Sequence, residues 1–271
     1  MPAVHDARAK LFDFVVRSNE QVADGVFRMT FESGVALELA AGEFMDFAVP
    51  GNPAQVLRVP ISFSHAEAAS KTVQIEYAVV GDGTRRLSKM APGDASTLVG
   101  PCGHGWCLPA KSGRALLVSG GIGIPPIVAA SEMLSAAGIA FDAILGAQTA
   151  DKVVACDVDA VRAAGSGDAD CRVVVATDDG SLGYHGFTTG AMEELLSERS
   201  YGSAYTCGPT PMMAGVSRLA AGAGIACQAS LERMMGCGFG ACSCCNVAMA
   251  DGSTRLCCMD GPVFDAEEVA W

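Results

Sequence analysis

Apolar and polar residues alternate with a period of two near the start of the chain, in residues 12–16 and again in residues 25–31. Two further short runs of strand-forming residues follow at 56–64 and 73–80, and Gly, Pro and Asn separate the runs. A period of two is typical of strands with one buried face. Because several short strands divided by turn residues favour a small closed sheet, the pattern predicts an antiparallel β-barrel, which we place at residues 1–108.

The pattern changes near residues 109–112. Residues 115–119 form a continuous apolar run, which is typical of a parallel strand buried on both faces. Strand-like runs and amphipathic stretches then alternate, with strands predicted at 141–145, 172–176 and 203–207 and helices at 127–137, 158–164, 189–198 and 211–223. This alternation predicts a doubly wound α/β nucleotide-binding domain, which we place at residues 109–226.

The last part of the chain, residues 227–271, follows neither pattern and is dominated by cysteine. Six of the 12 cysteines lie between positions 237 and 258. Four residues separate Cys237 from Cys242, two separate Cys242 from Cys245, and Cys258 follows about a dozen residues later. That spacing is typical of a plant-type [2Fe–2S] site. It predicts a small C-terminal iron–sulfur domain.

Two other arrangements would use the same thiols. Structural zinc also takes four cysteines, although it favours paired C-x2–4-C knuckles and only one such pair is present. Disulfides are compatible with an even number of cysteines, but the crowding of six thiols and the first twenty residues, which carry no secretory core, point away from them. Cys244 and Cys257 each adjoin a predicted ligand, so they could replace Cys245 or Cys258.

Composition narrows the classes of function. The chain has 271 residues, half of them apolar, and a net charge of −12 that is spread along its length. An acidic surface disfavours nucleic acid and anionic membranes as partners. No apolar run approaches the roughly 18–20 residues that span a bilayer. We therefore expect a cytoplasmic protein whose cysteines serve metal or redox chemistry.

Four loop segments predict nucleotide contacts. Gly-Gly-Ile-Gly-Ile-Pro-Pro at 120–126 joins a predicted buried strand to a predicted helix, an arrangement that places a pyrophosphate at a helix N-terminus. The segments 177–183 and 207–209 follow later strands, and ligands of such sheets lie beyond the carboxyl ends of the strands. In the barrel, Gly-Asp-Gly-Thr at 81–84 precedes a short helix expected at 85–90, for which Thr84 is the expected N-cap.

Taken in order, these motifs resemble the ferredoxin–NADP reductase superfamily over nearly the whole chain. The barrel is followed by Gly-Asp-Gly-Thr, Gly-Gly-Ile-Gly-Ile-Pro-Pro, Thr-Asp-Asp-Gly-Ser-Leu-Gly and Cys-Gly-Pro-Thr-Pro-Met. The cysteine loop, ending in Cys-Met-Asp-Gly-Pro-Val-Phe, is similar to that of one branch, the electron-transfer subunits of type B dihydroorotate dehydrogenase. The resemblance implies FAD on the barrel, NAD on the second domain and a [2Fe–2S] cluster on Cys237, Cys242, Cys245 and Cys258.

The same resemblance implies a partner. In that branch a separate FMN-containing catalytic subunit oxidises dihydroorotate in pyrimidine biosynthesis, and the electron-transfer subunit passes the electrons through the cluster and FAD to NAD⁺. The implied assembly is a heterotetramer with two copies of each subunit. The chemistry requires both cofactors, because nicotinamide exchanges two electrons as hydride whereas a [2Fe–2S] cluster exchanges one.

Carried over position by position, the resemblance places the flavin contacts in three barrel segments: Arg58, Pro60, Ile61, Ser62, Glu76, Tyr77, Ala78, Gly83 and Thr84. The family has its arginine one position later, where this chain has Val59. Neighbouring strand residues face opposite sides, so Arg58 would need a bulge to reach the flavin phosphates, and a solvated barrel arginine is the other interpretation.

The nucleotide contacts fall on loops of the second domain: Gly120, Gly121, Gly123, Pro125, Asp178, Asp179, Cys207, Gly208 and Pro209. We expect Cys207 to position the nicotinamide ring rather than to act as a nucleophile, since no histidine neighbours it. The segment 146–149 offers no Arg or Lys for a 2′-phosphate, although Lys152 is close, and this favours NAD over NADP.

Three other functions share parts of this pattern. The small subunit of NADH-dependent ferredoxin–NADP oxidoreductase or sulfide dehydrogenase has the same architecture, but that branch replaces one cluster cysteine by a carboxylate, whereas four cysteines are available here. A stand-alone NADH reductase would not need a terminal cluster loop for docking to a partner. A zinc-stapled flavin-binding module would show neither cluster absorbance nor flavin reduction by NADH.

Overall fold

The computed structural model describes residues 9–51 and 57–271, and the predicted barrel is present as an antiparallel sheet. Its seven strands are β1 (Lys10–Ala23), β2 (Val26–Glu32), β3 (Phe44–Phe47), β4 (Val59–Ser62), β5 (His65–Glu67), β6 (Thr72–Ala78) and β7 (Ala95–Cys102). They lie in the order β4-β3-β7-β1-β2-β6-β5, and β4 also contacts β6, so the sheet curls around its core. The start of the run predicted at 56–64 lies outside the described residues.

Three phenylalanines from different strands form the centre of this core. The rings of Phe14, Phe31 and Phe47 meet edge to face, with centroids 5.3–5.4 Å apart. Edge-to-face pairs contribute about 0.5–1.5 kcal/mol each beyond the burial of their area. The alternation of apolar and polar residues in β1 and β2 therefore predicted correctly that one face of each strand packs into the barrel core.

The second sheet confirms the doubly wound prediction. Five parallel strands, β8 (Ala115–Gly120), β9 (Phe141–Ala147), β10 (Val173–Thr177), β12 (Ser203–Cys207) and β13 (Ala226–Ser230), are flanked by the short parallel strand β11 (Tyr184–His185) and the antiparallel strand β16 (Val263–Asp265). The order is β11-β10-β9-β8-β12-β13-β16. The helices are α2 (Ile124–Ala136), α3 (Ala155–Ala164), α4 (Thr188–Glu198) and α5 (Thr210–Gly222).

Alternate residues of the central strand β8 serve the two helical layers. Leu117 packs with residues of α2 and α3, whereas Leu116 and Val118 pack with residues of α4 and α5. All three side chains are fully buried. Helices cover both faces of β8, so every side chain at 115–118 is buried, and this explains the continuous apolar run.

The helix in the barrel region begins earlier than predicted. α1 covers Asp82–Leu87, and its N-cap is Gly81, so the assignment of Thr84 as N-cap is wrong. Thr84 instead lies inside the first turn, where its Oγ1 accepts hydrogen bonds from the backbone amides of Val80 (3.0 Å) and Gly81 (3.2 Å). A threonine three positions after the N-cap can accept hydrogen bonds from backbone amides at the helix start, just as an N-cap side chain does. The sequence alone does not show which of these two positions Thr84 occupies.

The C-terminal segment contacts both sheets. β13 begins at the predicted boundary near residue 226 and pairs in antiparallel register with β16, while β14 (Asn246–Ala248) and β15 (Thr254–Leu256) form a separate hairpin. On the barrel side, the backbone amide of His104 donates to the carbonyl of Gly261 over 2.6 Å. The cysteine loop is thereby held between the barrel and the α/β sheet. Among the described residues, no helix is long and apolar enough to cross a membrane.

Candidate functional site

The cysteine loop presents its first thiol to several backbone amides. The amide of Ala241 donates to Sγ of Cys237 over 3.2 Å. Burial would raise the pKa of Cys237, but hydrogen bonds from the amides of Phe239, Cys242 and Ala241 outweigh it and hold that pKa below its ordinary value. Amide donors around a thiolate are the environment that a metal-bound cysteine requires.

The four predicted ligands come together as two pairs. Cys242 is one of the neighbours that influence the pKa of Cys237, and Cys245 is one of those that influence the pKa of Cys258; the backbone amide of Cys258 also donates to Sγ of Cys245 over 3.4 Å. Burial and then the contact with Cys245 raise the pKa of Cys258. Each iron of a [2Fe–2S] cluster takes two thiolates, so two pairs suit a two-iron cluster. Within residues 9–51 and 57–271, no set of three or more His, Cys, Asp or Glu side chains is arranged to hold a single metal ion.

The two cysteines that adjoin predicted ligands, Cys257 and Cys244, differ in their surroundings. The thiol of Cys257 is fully buried and donates to the carbonyl of Leu231 over 3.2 Å, and burial raises its pKa to about 12. Cys244 is exposed to solvent. Between it and Cys242, the backbone at Ser243 has a φ of 53°, a conformation that non-glycine residues seldom adopt. This turn was not predictable from the cysteine spacing.

The glycine loop after β8 and the Cys-Gly-Pro segment after β12 lie against each other. A Cβ on Gly123 would stand 2.3 Å from the carbonyl oxygen of Cys207, so only glycine fits there. The neighbouring strand end carries Ser119, whose buried Oγ has no hydrogen-bond partner among the described residues. Close backbone approach and an unpartnered hydroxyl at the carboxyl edge of a parallel sheet suit a bound nucleotide.

The third predicted loop joins the same edge. The amide of Asp178 donates to the carbonyl of Ala147 (3.1 Å), and the amide of Asp179 donates to that of Gln148 (3.3 Å). The carboxylate of Asp179 accepts from the Ser181 hydroxyl (2.6 Å) and amide (3.0 Å), and these bonds lower its pKa. The structure thus brings the segments at 120–126, 177–183 and 207–209 to one edge of the sheet.

The burial of Cys207 bears on its expected role. Cys207 is only partly buried at its surface, but burial of the thiol raises its pKa to about 12, against a smaller lowering by Ser230 on the adjacent strand. A thiol with so high a pKa is protonated at neutral pH and is a poor nucleophile. The environment agrees with a positioning role.

On the barrel, the side chains of the predicted flavin segments are largely committed to internal bonds. Arg58 donates to the carbonyl (3.0 Å) and Oγ1 (3.1 Å) of Thr97. The hydroxyl of Tyr77 donates to Oδ1 of Asn19 over 2.8 Å. Pro60, Ser62, Ala78, Gly83 and Thr84 keep partial exposure, whereas Ile61 and Glu76 are buried. At positions 76–77, where both side chains are buried, the backbone is the part that remains to contact a ligand.

Glu76 belongs to an ionic cluster that the sequence did not reveal. Nε of Arg28 donates to Oε1 of Glu76 over 2.6 Å, and the same guanidinium contacts the carboxylate of Asp157 on α3. Burial, and then the charge of Glu76, raise the pKa of Asp157 above its ordinary value despite the contact with Arg28. This arginine therefore ties the barrel to the α/β domain.

Comparison with known proteins identifies relatives over nearly the full length of the chain. Residues 232–270 match the family described as the iron–sulfur cluster binding domain of dihydroorotate dehydrogenase B. The electron-transfer subunit of dihydroorotate dehydrogenase B (NAD⁺) from Desulforamulus reducens is 33% identical over 267 residues, covering 97% of this chain and 99% of the relative. The subunit of the same name from Bacillus pumilus is 34% identical over 261 residues, covering 94% and 96%.

Solved structures share the fold. A chain of the NADH-dependent reduced ferredoxin–NADP oxidoreductase, described for flavin-based electron bifurcation, superposes with a TM-score of 0.83 at 29% identity, covering 95% of this chain and 89% of that one. A ferredoxin–NADP⁺ reductase from Neisseria gonorrhoeae with bound FAD and NADP gives a TM-score of 0.65 at 15% identity, covering 79% and 92%. The second similarity shows the fold alone.

Proposed function

This chain belongs to the family of dihydroorotate dehydrogenase B electron-transfer subunits, and on that premise we propose that it passes electrons from a catalytic partner subunit to NAD⁺, with a [2Fe–2S] cluster and FAD as its cofactors. When bound, FAD supplies the conversion between one-electron and two-electron transfer. The observation that carries the proposal is the pairing of Cys237 with Cys242 and of Cys245 with Cys258, in a loop attached to a reductase fold.

The cluster ligands in this proposal are Cys237, Cys242, Cys245 and Cys258. The amides around Cys237 favour its thiolate form, which is the form that binds iron. Cys245 and Cys258 are buried and exclude water from one side of the site, whereas Cys242 is exposed. The side at Cys242 is the one from which a partner can approach.

The second part of the proposal concerns FAD and NAD. The barrel segments at 58–62, 76–78 and 83–84 hold FAD, with backbone groups as the donors and acceptors at 76–77. The nucleotide lies on Gly120, Gly121, Gly123, Pro125, Asp178 and Asp179, while Cys207, Gly208 and Pro209 keep the nicotinamide ring in place. The contact between Gly123 and Cys207 supports this, because it holds the backbones of the two loops side by side at the carboxyl edge of the sheet.

The partner is proposed to be the FMN-containing dihydroorotate dehydrogenase subunit, in a heterotetramer of two plus two subunits located in the cytoplasm. The division into a barrel at 1–108, a nucleotide domain at 109–226 and a cluster domain at 227–271 is part of the same proposal. The match of the iron–sulfur family to residues 232–270 supports a separate cluster segment, and the pairing of β13 with β12 extends the nucleotide domain to Ser230.

One observation favours a second candidate. The similarity to the NADH-dependent reduced ferredoxin–NADP oxidoreductase, with a TM-score of 0.83, covers the cluster region as well as the reductase module. In that case a ferredoxin-linked subunit would replace the dihydroorotate-oxidising partner. The two candidates differ in the electron donor that reduces the cofactors.

The cofactor content tests the proposal. Anaerobically purified protein should contain two iron and two sulfide ions and one FAD per chain in the reductase arrangement, and NADH should bleach the flavin absorbance. Zinc in place of iron, or a chain without flavin, would contradict it. NADPH as a much better reductant than NADH would contradict the assignment of NAD.

A further inference from the structure

The outer face of β3 is covered by the C-terminal segment. Met45 and Phe47 point into the barrel core, as alternate strand residues must, and Phe44 lies on the other face. There it packs in one apolar cluster with Cys245 and Cys258. Asp46 shares the face of Phe44, so its side chain also points toward the cysteine loop.

The carboxylate of Asp46 touches that loop at Gly238. A Cβ built on Gly238 would stand 2.6 Å from Oδ2 of Asp46 and 3.2 Å from its Cγ. Gly238 has a φ of +76° and directly follows Cys237. Glycine is therefore required twice at this position, for the backbone turn and for the approach of the carboxylate.

This carboxylate is not explained by the stability of the barrel. Asp46 is 1% exposed, and its Oδ1 has no hydrogen-bond partner among the described residues. An unsatisfied buried acceptor costs about 1–3 kcal/mol. Burial raises the pKa of Asp46 to about 6 although the charge of Arg58 lowers it, so the carboxylate is ionised at pH 8; Nη1 of Arg58 itself hydrogen-bonds to the backbone carbonyl of Asp46 (3.4 Å).

The thiol of Cys102 is influenced by the charges of both Asp46 and Cys237. Cys102 on β7 is buried, and its pKa is raised by burial and then by the charges of Asp46, Glu43 and Cys237. Cys102 also packs in the apolar cluster that contains Phe44, Cys245 and Cys258, so it lies beside the cysteine loop. Two acidic side chains of the barrel thus contribute negative potential on the side of the loop where Cys237 lies.

We propose that Asp46 is a positioning residue of the cysteine loop, whose carboxylate braces Gly238 and whose negative charge lowers the reduction potential of a cluster bound there. The inference rests on the proposed function. A fixed negative charge in a poorly solvated site disfavours the addition of an electron to a nearby group. The bound cluster would accordingly give up its electron to the flavin more readily.

A substitution that removes the charge of Asp46 but keeps the shape of its side chain tests this proposal. Asp46→Asn should move the cluster midpoint potential to a more positive value, measured by an EPR-monitored redox titration at pH 8. The expected change in the reduction equilibrium is up to about tenfold, which is ~59 mV for a one-electron couple. Asp46→Ser removes the same charge with a smaller side chain and should shift the potential in the same direction if the asparagine variant fails to fold.

The control is Glu67→Gln, which removes a charge from the opposite edge strand β5 and should leave the potential unchanged. A potential in Asp46→Asn or Asp46→Ser equal to that of the wild type would overturn the inference, since a purely structural carboxylate would alter stability alone. Wild-type protein without a [2Fe–2S] EPR signal would overturn the proposed function itself, so the two failures are distinguishable.

Discussion

The backbone amide of Cys258 donates a hydrogen bond to the sulfur of Cys245 over 3.4 Å. The adjacent thiol, that of Cys257, faces the other way and donates to the carbonyl of Leu231. The sequence does not distinguish these adjacent cysteines, but the structure does: Cys258 lies beside Cys245, a proposed ligand, whereas the thiol of Cys257 points into the core. The fourth ligand is consequently expected to be Cys258.

Paired serine variants test that choice. Cys258→Ser should lose most of its iron and its [2Fe–2S] absorbance, because a serine hydroxyl is a poor iron ligand at neutral pH. Cys257→Ser should keep the iron and lose some stability, on the order of 1 kcal/mol, because only a buried contact changes. Iron and sulfide analysis with thermal unfolding measures both. Loss of the cluster from Cys257→Ser alone would reverse the assignment.

The pair Cys242 and Cys244 gives an independent prediction. Both thiols are exposed, but Cys242 neighbours Cys237, whereas Cys244 follows the positive-φ turn at Ser243. Cys244→Ser should therefore retain the EPR spectrum of the wild type, and Cys242→Ser should abolish or strongly alter it. An unchanged spectrum for Cys242→Ser would show that this thiol is not a ligand.

Gly123→Ala should weaken nucleotide binding selectively. A methyl group there would collide with the Cys207 carbonyl at 2.3 Å, and the strand ends would have to separate. We expect the Kd for NADH to rise about tenfold or more, equivalent to about 1.4 kcal/mol, while the FAD content stays normal. Stopped-flow reduction by NADH measures the change. Gly222→Ala, where no atom lies within 4 Å of the added methyl, is the matched control.

The ionic cluster of Arg28, Glu76 and Asp157 predicts a pH dependence of stability. The folded state raises the pKa of Asp157, so it holds a proton that the unfolded chain releases near pH 4. The stabilisation is therefore complete below pH 4 and is lost as the pH rises toward and through neutrality. Cys156 is the other titratable group near Arg28, and its pKa is raised by burial.

Relative to Asp157→Asn, the wild-type free energy of unfolding should consequently fall between pH 5 and pH 8, by on the order of 2 kcal/mol. Urea unfolding at the two pH values measures the difference. Asp159→Asn, an exposed position on the same helix, should show no such change. A constant difference between wild type and Asp157→Asn would mean that Asp157 titrates normally.

The sequence predicts the two sheets and the cysteine site because their signals are local. The alternation in β1 and the apolar run of β8 show which strand faces are buried. The spacing of Cys237, Cys242 and Cys245 is likewise a local signal, because all three lie in one loop. β3 escaped prediction because Phe44, Met45, Asp46 and Phe47 are all buried, which removes the alternation.

Other features depend on distant contacts. Arg28 and Asp157 are 129 positions apart, and nothing near either residue indicates the other. The contact of Asp46 with Gly238 likewise arises only when the C-terminal segment folds onto the barrel. The direction of Cys257 depends on the carbonyl of Leu231, 26 positions away. Such pairings follow from the tertiary packing of surfaces, which short-range periodicity does not encode.

The central claim concerns the origin and destination of the electrons, and one anaerobic experiment addresses it directly. The chain is co-purified with its proposed FMN-containing partner subunit, dihydroorotate is added, and flavin and cluster absorbance are recorded before and after NAD⁺. The account predicts that both chromophores bleach and that NADH forms on addition of NAD⁺. A spectrum that dihydroorotate leaves unchanged, while NADH bleaches it, would contradict the assignment of the partner and favour the ferredoxin-linked alternative.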